Sequence, residues 1–212
     1  MRQSSEIKVA PWLNHSDLPE IANVIGEYLA LNGVTAYLVG GTIRDVLLRK
    51  KTSDIDLSIK GDPLKIGEGI AELVSGRLIL LDAERQIVRI VFPNLGDQPS
   101  IDITPLRGEI QENLSHRDFT LDAMALSVSD LHKQKSRIPL IDPFNGTKDI
   151  NCQVIRAISP SVFKLDPTRL IRAPRLASEL NFEICDDTAK SIKQHSYFIT
   201  KVAPEKIRDE FL

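Results

Sequence analysis

The sequence predicts an α/β (α+β) fold in which a small mixed or antiparallel sheet flanked by helices is followed by a helical segment. Short apolar runs with strand periodicity recur between residues 36 and 104, helical patterns separate them, and strand signals stop past Ile158. Ser16 or Asp17 caps a first helix reaching about Ala30, with Asn32-Gly33 closing it. Residues 36–39 read as a buried strand and residues 42–49 as an amphipathic helix, while residues 55–59 alternate apolar and polar side chains as a strand does. Asp62-Pro63 opens a helix through Leu73 or Val74. Strand-like runs follow at residues 77–81, 87–92 and 100–104, separated by turn-rich residues 82–84 and 93–97. Ser115 caps a helix predicted to run through Ala125, with Arg117 and Asp118 in its first turn. Residues 167–180 and 187–194 read as helices, and Pro174 is expected to kink the first between Arg172 and Arg175. The predicted organisation is therefore an α/β domain over residues 1–158 and a helical domain over 159–212. The last residues read as an unfinished helix, as expected for a piece of a longer protein.

Composition narrows the class. With 212 residues and 42% apolar content the chain can bury an ordinary core. A formal charge of -2 gives no support for an extensive nucleic-acid surface, and 5% aromatic content disfavours a plain stacking module for single strands. Cys152 and Cys185 are too few and too far apart for a zinc framework. Nothing N-terminal resembles a secretory or transit peptide, and no apolar run approaches the roughly 20 residues that span a bilayer. The expectation is a reduced, cytoplasmic protein without a membrane role; the sequence says nothing of its oligomeric state.

The chemistry centres on Asp54 and Asp56 in Ser53-Asp54-Ile55-Asp56-Leu57-Ser58-Ile59. Strand periodicity sends both carboxylates to one side, where they repel unless a cation lies between them; paired divalent metals are the usual resolution at phosphoryl-transfer sites. Gly40 and Gly41, between a strand and a helix, form a possible phosphate cradle, because backbone N–H groups can approach an anion closely there. Taken singly, each has a plainer reading: Gly-Gly as a tight turn, Asp-x-Asp as solvated carboxylates.

In combination and order, Gly40-Gly41-Thr42-Ile43-Arg44-Asp45 followed by Asp54-x-Asp56 resembles the signature of the DNA polymerase β-like nucleotidyltransferase superfamily. The resemblance is to its class II branch, which holds tRNA nucleotidyltransferases and bacterial poly(A) polymerases. It continues along the chain. His116-Arg117-Asp118-Phe119-Thr120-Leu121-Asp122-Ala123-Met124-Ala125 is similar to the family's Arg-Arg-Asp-Phe-Thr-x-Asn-Ala-x-Ala, and Asp142-Pro143-Phe144-Asn145-Gly146-Thr147-Lys148-Asp149-Ile150 to its Asp-Pro-Phe-Gly-Gly-x-x-Asp-Leu turn. Asp166-Pro167-Thr168-Arg169-Leu170-Ile171-Arg172-Ala173-Pro174-Arg175 resembles the nucleobase motif, and residues 203–210 a later helix.

The resemblance implies a polymerase β-like catalytic head over residues 1–158 and a helical neck over 159–212. It implies Asp54, Asp56 and, on a neighbouring strand, Asp102 as catalytic carboxylates, with Asp54 and Asp56 holding two Mg²⁺ ions. Gly40, Gly41, Arg44, Asp45, Arg117, Asp118, Asp166, Arg169 and Arg172 are the implied nucleotide-binding residues. Arg117 would contact phosphate and Asp118 the ribose 2′-OH. Asp166 would accept from the exocyclic amino group common to cytosine and adenine while Arg169 donates to the same edge. His116, Asp122 and Leu165 depart from the pattern, which usually has Arg, Asn and Glu there.

The implied reaction is attack of a tRNA 3′-hydroxyl on the α-phosphorus of CTP or ATP, with pyrophosphate leaving. Only residues 104–114 separate the strand of Asp102 from the Arg-Asp-Phe-Thr motif, and so short a segment resembles the CC-adding members. An A-adding enzyme or a poly(A) polymerase is the alternative. A nucleotide-binding regulatory module with a decayed site is the reading from another class, and the intact Asp54 and Asp56 oppose it.

Overall fold

The computed structural model describes residues 6–8, 18–50, 54–92, 99–132 and 137–211. The predicted cap at Ser16 or Asp17 and the turn at 93–97 lie outside them. Two compact units emerge: the described residues up to Asn113 together with Met124–Asp142, and Leu114–Ala123 together with Pro143–Leu212.

In chain order the first unit contains β1 (Glu6–Lys8), α1 (Leu18–Leu31), β2 (Ala36–Val39), α2 (Gly41–Leu47) and β3 (Asp54–Ile59). There follow α3 (Pro63–Leu73), β4 (Arg77–Asp82), β5 (Ile87–Val91), β6 (Ser100–Pro105) and the start of α4 (Ile110–Ser115). After the excursion into the second unit come β7 (Ala125–Ser127), α5 (Val128–His132) and β8 (Arg137–Ile141). Among the described residues the strands form one eight-stranded sheet in the order β1-β8-β7-β2-β3-β6-β5-β4. Its neighbours are antiparallel except β3 and β6, which run parallel, so the sheet is mixed, as expected.

Alternation decides which face is core. Ile55, Leu57 and Ile59 of β3, Ile101 and Ile103 of β6, and Val88 and Ile90 of β5 are all buried. The residues between them point the other way. Helix α3 begins where expected: Asp62 accepts the Leu64 amide at 2.9 Å and Pro63 occupies the first turn, where its missing N–H costs nothing. The helix lies close to the sheet at Gly67, where a Cβ would stand 3.0 Å from Leu78 Cδ1 and 3.1 Å from Val88 Cγ2.

The second unit carries a 3-10 turn at Thr120–Asp122, then α6 (Gly146–Asn151), β9 (Val154–Ile155), α7 (Val162–Leu165) and α8 (Arg169–Leu180). It continues with β10 (Glu183–Ile184), α9 (Asp186–His195), a 3-10 segment at Ser196–Lys201 and α10 (Pro204–Asp209). Asn145 opens α6 in the left-handed region, at φ 58°, ψ 38°, which asparagine tolerates better than most residues. β9 and β10 pair in parallel, tying residues before 158 to residues after it. The division expected between 158 and 159 thus lies between residues of one compact unit.

One expected helix is replaced by other structure. The helix predicted from Ser115 through Ala125 is absent: α4 ends at Ser115, and the chain passes through the 3-10 turn into β7. Phe119, Leu121, Ala123, Met124, Ala125 and Leu126 are all fully buried, a run without either helical or strand alternation. Pro174 lies inside α8, which forms one helix from Arg169 to Leu180.

Ile103 is fully buried, paired with Val88 and facing Gly67 of α3. Ile103→Ala is expected to cost about 2–5 kcal/mol in urea-unfolding free energy. A loss under about 1 kcal/mol would show that the sheet core is not packed on α3 as described.

Candidate active site

The expected site residues fall into two groups, one in each unit. In the first, the turn from β2 into α2 is made by Gly40 at φ 68°, ψ -144°, a conformation that side chains other than hydrogen strongly disfavour. This turn puts Thr42 at the start of α2 against β3. The Thr42 hydroxyl donates to the Asp54 carbonyl at 3.2 Å and accepts the Asp56 amide at 2.9 Å. One buried side chain thus grips the strand backbone between the two aspartates.

The parallel register of β3 and β6 sets Asp54 opposite Ser100 and Asp56 opposite Asp102. Ser100 donates its hydroxyl to Asp54 Oδ1 at 2.8 Å. On the next strand Arg89 stands opposite Asp102. Its Nε donates to Asp102 Oδ1 at 2.6 Å and its Nη2 to Oδ2 at 2.7 Å, a two-point fork on both carboxylate oxygens. The bond to Asp102 raises the Arg89 pKa most; burial opposes it, and the charges of Asp102, Asp54 and Asp56 add to the rise. Arg89 is thus bonded to Asp102 and feels the charges of Asp54 and Asp56 as well.

The donor set on β3 fits a hard divalent cation. Asp54 is exposed and Asp56 half-buried, and both offer only oxygen. Among the described residues no three His, Cys, Asp or Glu side chains are grouped to enclose a metal by themselves. Two carboxylates with the remaining positions left to water suit a hard divalent cation that keeps part of its hydration shell. Asp102, expected as a third carboxylate, is in the same cross-strand row but bonded to Arg89.

Arg44 and Asp45, expected to bind nucleotide, hold each other: Arg44 Nε donates to Asp45 Oδ1 at 2.8 Å and Nη2 to Oδ2 at 3.1 Å. Gly41 leaves room for that guanidinium, since a Cβ there would lie 3.2 Å from Arg44 Nη2.

In the second unit Arg117 and Asp118 sit in irregular chain after α4 rather than in a helix. Backbone bonds from Thr120 to the Arg156 carbonyl at 2.9 Å and from Ile158 to the Asp118 carbonyl at 3.0 Å fix this segment. Asp149 adds a side-chain anchor, accepting from the Thr120 hydroxyl at 2.7 Å and from Arg156 Nε at 3.1 Å. Asp118 is buried; Oδ1 accepts the Phe119 amide at 3.0 Å and Oδ2 accepts Arg172 Nη1 at 2.9 Å. Arg172 also grips Glu210 Oε1, through Nε at 2.8 Å and Nη2 at 2.6 Å, and Arg175 reaches Glu210 Oε2 at 2.9 Å. Burial would lower the Arg172 pKa, yet Glu210 and Asp118 together raise it well above the ordinary value.

Asp166 lies in the turn before α8. Its Oδ1 accepts the Thr168 hydroxyl at 2.5 Å and the Thr168 amide at 3.1 Å. Arg169 Nε stands 4.0 Å from Asp166 Oδ2, and Arg169 Nη2 donates to the His116 carbonyl at 3.1 Å. Sequence reasoning missed Thr42, Ser100, Arg89 and Glu210 as members of these networks. Arg89 carried a signal: it is the one charge in the otherwise apolar run Ile87-Val88-Arg89-Ile90-Val91.

The family model for the poly(A) polymerase head domain matches residues 36–113 and 101–156. A CC-adding tRNA nucleotidyltransferase from Geobacter sulfurreducens is 36% identical over 192 residues, covering 90% of this chain and 42% of that protein. An A-adding tRNA nucleotidyltransferase from Aquifex aeolicus is 35% identical over 175 residues, 75% of this chain and 20% of that protein. Among solved structures, the Thermotoga maritima CCA-adding enzyme complexed with tRNA superposes with a TM-score of 0.83 at 28% identity, over 99% of this chain and 50% of that one. The chain thus spans half or less of the length of these relatives.

Burial would raise the Asp166 pKa, but the Thr168 hydroxyl and amide, then Arg169 and Arg172, outweigh it and hold the carboxyl below its ordinary value. A folded value below the unfolded one, about 3.9, means that the carboxylate stabilises the fold above that pH and loses this contribution as pH falls through the folded value. The difference in urea-unfolding free energy between the unsubstituted chain and Asp166→Asn should stay level from about pH 7 to about pH 5 and shrink below about pH 4. A difference that grows on acidification would contradict the assigned bonds.

Proposed function

The chain belongs to the poly(A) polymerase head-domain family, and on that premise we propose that it is the nucleotide-adding portion of a template-independent tRNA nucleotidyltransferase. The observation that carries the proposal is the placement of Asp54 and Asp56 on one face of β3, with the strand gripped between them by Thr42. In this reading Asp54 and Asp56 hold two Mg²⁺ ions. Bound there, the ions supply a lowered pKa for the attacking hydroxyl and charge neutralisation for the leaving pyrophosphate. A tRNA 3′-oxygen forms the new bond to the α-phosphorus of CTP or ATP, and the bond to pyrophosphate breaks.

The chain's own residues divide the remaining work. Gly40 and Gly41 keep the start of α2 open to phosphate. In the second unit Asp118 is assigned to the ribose 2′-OH and Arg117 to phosphate. Both Asp118 oxygens already accept one bond, but a carboxylate has about four acceptor sites, so capacity remains. Asp166 and Arg169 are assigned to the base edge; held in position by Thr168 and the His116 carbonyl, they present an acceptor beside a fork of donors. Arg172, fixed by Glu210, supports Asp118 from behind.

The short 104–114 segment and the likeness to the Geobacter CC-adding protein favour addition of C residues. The likeness to the Aquifex A-adding protein at 35% identity keeps addition of A as the second reading. A cytoplasmic location among tRNA substrates belongs to the same proposal. For the membrane, the structure states only that no described helix is long and apolar enough to cross one.

Incorporation of each labelled NTP into tRNA lacking its 3′ end tests the proposal. CTP should be used in preference to UTP and GTP. Asp54→Asn or Asp56→Asn should lower incorporation at least about 100-fold while the urea midpoint barely moves. Turnover near that of the unsubstituted protein in either variant would refute the assignment.

A further inference from the structure

Asp102 and Arg89 form a two-point ion pair on the first unit's acidic face, and neither the reaction nor the metal site proposed above uses that pair. Three cross-strand neighbours lie in one row: Asp56 on β3 opposite Asp102 on β6, and Asp102 opposite Arg89 on β5. Arg89 Nε and Nη2 take both oxygens of Asp102, at 2.6 and 2.7 Å. With two oxygens committed to one guanidinium, Asp102 has its best lone pairs directed along the sheet toward β5 rather than toward β3.

We propose that Arg89 is a resident counter-cation and a positioning residue: it withholds Asp102 from Asp54 and Asp56 and thereby keeps their affinity for free divalent metal low. The inference rests on the metal-binding role proposed for Asp54 and Asp56. Without Arg89, the Asp102 carboxylate would lose its two-point partner beside Asp54 and Asp56, and a divalent ion would be favoured there as a replacement cation. With Arg89, Asp102 is already neutralised. The charges of Asp54 and Asp56 also act on Arg89, so its positive charge acts in turn on any ion that approaches them. The metal then gains a secure set of ligands only when phosphate oxygens join the two aspartates.

A merely structural pair would behave differently when broken. Loss of a strut loosens the site and weakens metal binding, whereas loss of a counter-cation strengthens it. The sign of the change is therefore the test.

Mn²⁺ alone, without nucleotide, is titrated into the 212-residue chain and its variants, with free Mn²⁺ read by electron paramagnetic resonance. Arg89→Gln should bind Mn²⁺ at least about fivefold more tightly than the unsubstituted chain, the size of one unit charge at about 4 Å in water. The gain should disappear in Arg89→Gln combined with Asp102→Asn, since the carboxylate that was released is then gone. Arg89→Met, which keeps the apolar stem, carries the same expectation if the glutamine variant fails to fold. Unchanged or weaker binding in a folded Arg89 variant overturns the counter-cation role, and does so without touching the metal role if Asp54→Asn still abolishes binding to the unsubstituted chain. Binding that Asp54→Asn and Asp56→Asn leave intact in every background overturns both.

Discussion

The parallel, in-register pairing of β3 with β6 is the constraint on which the first unit depends. It is enforced from the apolar side: Ile55, Leu57 and Ile59 face the core beside Ile101 and Ile103, so a slip of one residue would drive Asp54 and Asp56 into that core. The same alternation gathers Asp54, Asp56 and Asp102 on the opposite face, where like charges cost free energy. The fold meets that cost with Arg89 from β5 and the Ser100 hydroxyl from β6. Thr42 completes the arrangement from α2, and it can do so because Gly40 permits the turn that places it there. Core packing and the chemistry of the acidic face are two sides of one register.

The second unit relies on buried ionic bonding instead of alternation. Arg172 joins Asp118 to Glu210, and Arg175 carries the network on to Glu179 at 2.9 Å. Asp118 and Glu210 are the buried members, and a buried carboxylate is costly to leave single, so their arginine partners fix their geometry. The consequence for Asp118 is a fixed orientation, which is what recognition of a ribose hydroxyl would require.

Legibility in the sequence followed the range of the forces involved. β3 and α3 were readable because their signals are local: strict alternation in one, Asp62-Pro63 at the head of the other. The placement of Asp54 and Asp56 on one face of β3 was readable for the same reason. The segment 118–125 was misread because its residues are buried on every side and its Leu, Ala and Met favour helix, whereas bonds from Thr120 to Arg156 and Asp149 and from Ile158 to Asp118 hold it otherwise. The Asp166 carboxylate closes a turn onto Thr168, a contact that its three-residue spacing to Arg169 does not announce. Short strands such as β1, β9 and β10 have too few residues to show a period. Arg89 was visible as an isolated charge, but its partner is thirteen residues away across a strand pair, and nothing local names it.

The central claim is that Asp54 and Asp56 hold the divalent metal while Asp102 remains with Arg89. Anomalous scattering from crystals of this chain soaked with Mn²⁺ and CTP reads the claim directly. A peak within about 2–2.5 Å of carboxylate oxygens of Asp54 and Asp56, with the Arg89 fork on Asp102 intact, is the predicted result. A peak ligated by Asp102 with Arg89 displaced, or a peak remote from β3, would contradict it.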